Sequence, residues 1–147
     1  MGQWFDSTFG QFNLKMNINT ITLLSQLRSA SLNKKESVML EINKFTITVL
    51  DSLYNEGLIL SYTIVRKKGF LNNTKTAIVH IRYVNGKPVF ENLKILSSPS
   101  LTRIISIKNI CRLNPKKENF FFSTNKGILS LQDCKNKRVG GILLFMC

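Results

Sequence analysis

Phe120-Phe121-Phe122-Ser123-Thr124-Asn125-Lys126-Gly127-Ile128-Leu129 is the stretch on which the fold turns. Two apolar runs flank a segment of hydroxyls, an amide and a lysine that ends in glycine, the pattern of two strands joined by a polar loop. Working downstream, residues 127–130 continue extended, residues 131–138 carry helical spacing, and Gly140-Gly141 opens a last apolar strand over 142–147. Working upstream, a basic loop at 114–119 is preceded by a short helical turn at 107–112 and a short strand at 103–106. Residues 97–147 therefore read as a mostly β lobe.

Ser97-Ser98-Pro99-Ser100 punctuates the chain ahead of that lobe and marks a boundary. Residues 18–96 form a lobe of another kind. Asn19 or Thr20 can cap a helix running to Leu32, with Ile21, Leu24 and Leu27 at three-to-four spacing. Val38, Leu40 and Ile42 alternate with polar neighbours as in a strand. Asn43 caps a second helix to Asn55, and Gly57 stands where a left-handed stop belongs, although Thr46, Ile47, Thr48 and Val49 are weak helix formers. Three strands follow at 58–66, 76–84 and 89–96, the last two joined by a tight Asn85-Gly86 turn, with a polar turn at 67–73. Residues 1–17 show no period and read as an extension held by Trp4, Phe5, Phe9 and Phe12. The expected class is α+β: an N-terminal α/β lobe of helix, strand, helix and three-stranded meander, packed on the mostly β C-terminal lobe.

Charge narrows the function. Twenty-one Lys and Arg against eight Asp and Glu give +13 on 147 residues, a self-repulsion that an anionic partner relieves. A membrane is the weaker choice of partner, since the longest apolar run, residues 142–147, falls far short of the roughly 20 residues a spanning helix needs. No secretory signal stands at the start. Cys111, Cys134 and Cys147 are widely spaced and the one histidine is His80, which is no zinc set. The three read as reduced, partly buried thiols. The eight acids form no catalytic pair, and no phosphate-binding glycine loop occurs, so neither a reaction nor a cofactor is indicated. Nucleic acid is the expected partner.

The bases concentrate around the opening stretch. Between residues 112 and 138 lie seven, Arg112, Lys116, Lys117, Lys126, Lys135, Lys137 and Arg138, against Glu118 and Asp133. Ser123, Thr124 and Asn125 can donate and accept hydrogen bonds, which suits the 2′-hydroxyls and base edges of a shallow RNA minor groove. Lys126 adds a phosphate contact, and Gly127 admits a close backbone approach. The same residue types also make a plain capped turn between strands, and their chemistry alone does not separate the two readings.

Order along the chain does separate them. The stretch 120–129 resembles the signature of the small-subunit ribosomal protein S8 family: an apolar pair, Ser-Thr, two residues, Gly, an apolar pair, then a short basic helix. Lys135-Asn136-Lys137-Arg138-Val139-Gly140-Gly141-Ile142-Leu143 resembles the continuation. Leu53-Tyr54-Asn55-Glu56-Gly57-Leu58-Ile59, Ser97-Ser98-Pro99 and Leu24-Ser25-Gln26-Leu27-Arg28-Ser29-Ala30 resemble the family's helix end, linker and first helix, in family order over residues 20–147. There are departures: Asn125 replaces a third loop hydroxyl, Ser100 a glycine, Cys134 a small residue, and Ile142 the acid that usually follows the double glycine and helps hold the loop.

The resemblance implies a non-enzymatic constituent of the small ribosomal subunit. It would bind a helix of the central domain of small-subunit rRNA and support assembly and translation beside neighbouring small-subunit proteins. By carry-over, Ser123, Thr124, Asn125, Lys126 and Gly127 meet the RNA minor groove, and Arg28, Lys34, Lys35 and Lys44 meet backbone phosphates. Arg103, Lys116, Lys117, Lys135, Lys137 and Arg138 extend the RNA-binding surface, and Gly140 and Gly141 shape the turn beneath the loop. No metal, cofactor, small-molecule substrate or membrane is implied. The alternative is a free RNA-binding translational regulator on the same fold, with a basic protein scaffold behind it. Abundant Lys, Asn, Ile and Phe, with Ala only at 30 and 77, reflect AT-rich codons. They suggest a mitochondrial matrix ribosome, with organelle or nuclear encoding left open by the sequence and a plastid or bacterial cytoplasm as the alternative.

Overall fold

The computed structural model describes residues 16–68, 73–114 and 118–147, which fall into two compact units. One is Asn19–Leu93; the other is Lys94–Cys147 joined by residues 16–18. The aromatics expected to hold the N-terminal extension, the heart of the turn at 67–73, and Lys116 and Lys117 lie outside the described residues.

The first unit starts with helix α1, Ile18–Leu32, which buries Leu23, Leu24, Leu27 and Ala30. It begins one turn's fraction earlier than the expected cap, and Asn19 and Thr20 lie inside its first turn, with Thr20 buried. Strand β1, Ser37–Glu41, leads to helix α2, Lys44–Asn55. Asn43 caps α2 as expected: its side chain accepts from Thr46 N at 2.9 Å, while Asn43 N donates to the Thr46 hydroxyl at 2.6 Å. Thr48 and Ser52 return their hydroxyls to carbonyls of the preceding turn, so the β-branched run is absorbed by local bonds rather than broken by them. Gly57, at φ +73, takes the left-handed conformation after the helix.

Strands β2, Ile59–Lys68, and β3, Asn73–Ile81, complete an antiparallel sheet in the order β1-β3-β2. Ala77, Val79 and Ile81 of the central strand are fully buried on one face, opposite Leu40 and Val38 of β1. This sheet corrects the expected meander. Its third strand is β1, not residues 89–96. Asn85 and Gly86, at φ 53 and 74, do reverse the chain, but only between the two-residue strands β4, Tyr83–Val84, and β5, Lys87–Pro88. Pro88 lacks the N–H that a continuing strand would need. Phe90 and Leu93 then turn inward, and Lys94–Ile95, β6, joins the other unit's sheet.

That second sheet is ordered β6-β10-β8-β9, with β7, Ile104–Ile105, pairing the start of β10. Strand β8 is Phe120–Thr124, β9 is Gly127–Ser130 and β10 is Gly141–Met146. All six residues of β10 are buried, as its unbroken apolar run requires of a strand covered on both faces. On one face Phe121 and Phe145 stack at 4.7 Å between ring centres. On the other, Phe122, Leu129 and Leu143 meet Ile110 of α3, Ile107–Arg112, and Leu131 and Cys134 of α4, Leu131–Lys137. Burial pushes the Cys134 thiol up to about 12. Ser97 of the linker is itself buried: its hydroxyl donates to Leu143 O and accepts from Arg103 N at 3.2 Å.

Candidate nucleic-acid interface

The loop between β8 and β9 is built by three locks. Thr124 and Gly127 pair across it, leaving Asn125 and Lys126 at the tip. The Thr124 hydroxyl donates to Gly127 O at 2.8 Å and accepts from Lys126 N at 3.1 Å, closing the turn from inside. Gly127 sits at φ +103, where a side chain would be strained.

The double glycine seats this loop. A Cβ on Gly141 would stand 2.7 Å from Ser123 O and 2.9 Å from Thr124 Cγ2. A Cβ on Gly140 would stand 2.7 Å from Ile105 O and 3.1 Å from Ile107 N. Both glycines are needed for space, not for backbone conformation: β10 starts wedged between the loop and the segment entering α3.

The structure divides the five loop residues into two groups. Asn125 is half-buried, Lys126 is exposed and Gly127 is half-buried, so these reach the surface. Ser123 and Thr124 have 0% of their surface exposed. Thr124 spends its hydroxyl on the loop itself, and Ser123 Oγ has no hydrogen-bond partner among the described residues. The reason lies across the ladder. Ser123 is in register with Ile142, where the family resemblance implies an acid, and a hydrocarbon side chain cannot accept the hydroxyl's hydrogen. Sequence reasoning notes the Ile142 departure but not the orphaned donor it leaves behind.

The cations of the same unit surround helix ends. Ser130 caps α4 by accepting from Asp133 N, with Asp133 in the first turn and Lys135 and Lys137 in the last, an arrangement that complements the helix dipole. Lys137 is exposed; Lys135 is half-buried and donates Nζ to Leu113 O at 2.7 Å. Arg138 is exposed and closes α4 in the left-handed conformation at φ 51. Arg103 is exposed beside β7. Lys108, not singled out from sequence, and Arg112 are both exposed on α3; their i,i+4 spacing was the available signal.

In the other unit Arg28, Lys34, Lys35 and Lys44 are all exposed. Lys34 ends α1 in the left-handed conformation at φ 54, with Lys35 N returning to Ala30 O at 3.0 Å. Of the three non-glycine residues at positive φ among the described residues, two are expected RNA-binding cations, Lys34 and Arg138, and the third is Asn85 of the tight turn. Such backbone strain clusters at functional positions. Among the described residues, no three His, Cys, Asp or Glu side chains gather as a metal cage would, and no helix is long and apolar enough to cross a membrane.

Fold and site together define a basic α+β protein that carries exposed cations and a glycine-seated hairpin loop. Comparison with known proteins makes this specific. The family model described as Ribosomal protein S8 matches residues 19–147. The small ribosomal subunit protein uS8 of Rhodopseudomonas palustris (strain TIE-1) is 30% identical over 123 residues, 84% of this chain and 91% of that protein. Its namesake from Brucella anthropi is 30% identical over 122 residues, 83% and 90% of the two chains. That from Afipia carboxidovorans is 29% identical over 123 residues. The chain belongs to the ribosomal protein S8 family. All three relatives are bacterial, so they accord with the bacterial alternative and lend no support to a mitochondrial origin.

Proposed function

We propose that this protein is a structural constituent of the small ribosomal subunit that binds a helix of the central domain of small-subunit rRNA and supports subunit assembly and translation. The observation that carries the reading is the loop at residues 124–127: braced by Thr124, seated on Gly141, and offering Asn125 and Lys126 outward in a chain of this family. Lys126 meets phosphate, and the Asn125 amide, able to donate and accept, meets ribose or a base edge. Thr124 positions the loop, and Ser123 lies wholly buried beneath it, so its hydroxyl takes part in recognition only where RNA binding opens the loop. Arg103, Lys137 and Arg138 extend the phosphate-binding surface on this unit, Lys135 does so with the donors it keeps beyond Leu113, and Arg28, Lys34, Lys35 and Lys44 do so on the other. The role is one of binding and not of catalysis.

Sedimentation of a lysate of the source cells, or of its organelles, before and after ribonuclease tests this directly. Co-migration with the small subunit, lost on digestion, supports the reading. Migration as a free protein moves a translational regulator to the front. The organelle fraction in which the chain sediments decides the mitochondrial placement, which rests on composition and on the departures from the family pattern.

A further inference from the structure

Strand β2 is an edge strand ten residues long, and its outward side has a character unlike the rest of this surface. Ile81 N donates to Glu36 O and Ile42 N donates to Lys75 O, so the odd-numbered residues of β3 turn their backbone toward β1 and the even-numbered ones toward β2. The β2 partners of those even residues are Ser61, Thr63 and Val65. That leaves the N–H and C=O of Tyr62, Ile64 and Arg66 directed away from the sheet. An edge of this length is ordinarily blunted by proline, by a lysine or by a covering segment. Residues 59–65 contain neither proline nor charge, and the only charges of the strand are Arg66, Lys67 and Lys68 at its far end. Leu60 is 60% exposed and Ile64 42% exposed on this edge.

Helix α2 supplies the adjoining wall. Tyr54, 52% exposed, meets Tyr62 edge to face at 6.5 Å between ring centres, and the Tyr62 hydroxyl donates to Asp51. Burial, together with Asp51, raises the Tyr62 phenol to about 12, so the ring stays neutral and remains a donor. Asp51 and Glu56 are both exposed, form no ion pair among the described residues, and stand toward the C-terminal end of a helix with no base in its last turn. Arg82 answers the Gly57 carbonyl at 2.7 Å but neither carboxylate. On a chain of charge +13 this corner presents two exposed carboxylates, with the Arg82 cation beside Gly57, so it offers a cationic partner more than the rest of the surface does.

We propose that the β2 edge and the Tyr54–Tyr62 corner form a docking site for an extended, lysine- or arginine-bearing segment of a neighbouring protein. The segment adds a strand to the sheet through the backbone of Tyr62, Ile64 and Arg66. Its apolar side chains pack on Leu60, Ile64 and the tyrosine pair, and its cations face Asp51 and Glu56. The site is independent of the rRNA loop.

The test uses the full chain and a blocked peptide of alternating lysine and valine, about eight residues long to match a strand at ~3.3 Å per residue. The expected result is that the amides of Tyr62, Ile64 and Arg66 shift and gain protection from hydrogen exchange, while those of Ser61, Thr63 and Val65, already bonded to β3, do not change. Ile64→Pro removes one outward donor without touching the β3 ladder and lowers affinity about tenfold. Glu56→Lys, an exposed change that cannot unfold the sheet, also weakens binding, and rRNA binding is the same in both variants. Protection elsewhere, or equal binding of a glutamate–valine peptide, overturns the proposal. So does self-association lost in Ile64→Pro, which makes a second copy the occupant, or protection of the same amides by an rRNA fragment, which makes it RNA.

Discussion

Replacing Ser123 with Ala should stabilise the free protein, although the residue lies in the loop proposed to read RNA. Its hydroxyl is wholly buried and finds no partner among the described residues. Burying such a group unsatisfied costs about 1–3 kcal/mol. Removing one oxygen gives up a few dispersion contacts of roughly 0.1–0.2 kcal/mol each and leaves a void too small for water. The net expectation is a gain of about 1 kcal/mol, or roughly 3–5 °C in Tm for a chain of this size. The neighbouring hydroxyl should behave in the opposite sense. Thr124→Val keeps the shape but deletes the bonds to Gly127 O and Lys126 N, and should cost about 1–2 kcal/mol. Urea titrations followed by circular dichroism measure both, with an unchanged slope needed for the comparison. If Ser123→Ala instead loses 1 kcal/mol or more, the hydroxyl has a partner in the folded state and its assignment as an unsatisfied donor is wrong. If the stabilised variant also binds its rRNA helix as tightly as the parent, Ser123 has no part in recognition.

Three further perturbations test neighbouring claims. Gly141→Ala places a methyl 2.7 Å from Ser123 O, so the loop must shift; rRNA binding should fall by at least tenfold in a protein that remains folded by circular dichroism, and unchanged affinity would remove the double glycine from the site. Lys126→Gln should weaken binding evenly across RNA sequences and lower the salt slope by about 1, read from affinities at several potassium concentrations. Arg138→Gly should relieve a left-handed backbone worth about 1–2 kcal/mol, partly offset by glycine's added chain entropy of roughly 0.5–1 kcal/mol, while reducing the salt slope of rRNA binding. Thiol chemistry gives the last. Exposed Cys111 should alkylate readily near neutral pH, while buried Cys134, pushed from 9.0 to about 12, should label only on unfolding. Because the folded thiol holds its proton more tightly than the unfolded one, stability from this group is present below pH 9 and declines as pH rises toward 12. A melting temperature flat across that window in the parent, with the same profile in Cys134→Ala, would exclude the effect.

What the sequence determined by itself is the set of features that depend on a few adjacent residues. Asn43 as a cap, Gly57 as a left-handed stop and Asn85-Gly86 as a two-residue reversal were all legible, because each rests on local hydrogen bonds or a permissive φ within a few adjacent residues. The family was legible too, because motif order survives substitution at single positions. What only the tertiary structure decided is pairing and burial. Both β1 and residues 89–96 read as strands, yet β3 chose β1, because Pro88 interrupts the ladder and Phe90 has a core to enter. The same holds at the loop. Ser123-Thr124-Asn125-Lys126 reads as four polar groups of equal standing, but β8, buried at consecutive positions up to Thr124, and the packing of Gly141 hold two inward and leave two at the surface. No local signal carries that division, since it depends on β10, where Gly141 packs on Ser123 and Thr124 and Ile142 lies opposite Ser123, nineteen residues on in sequence.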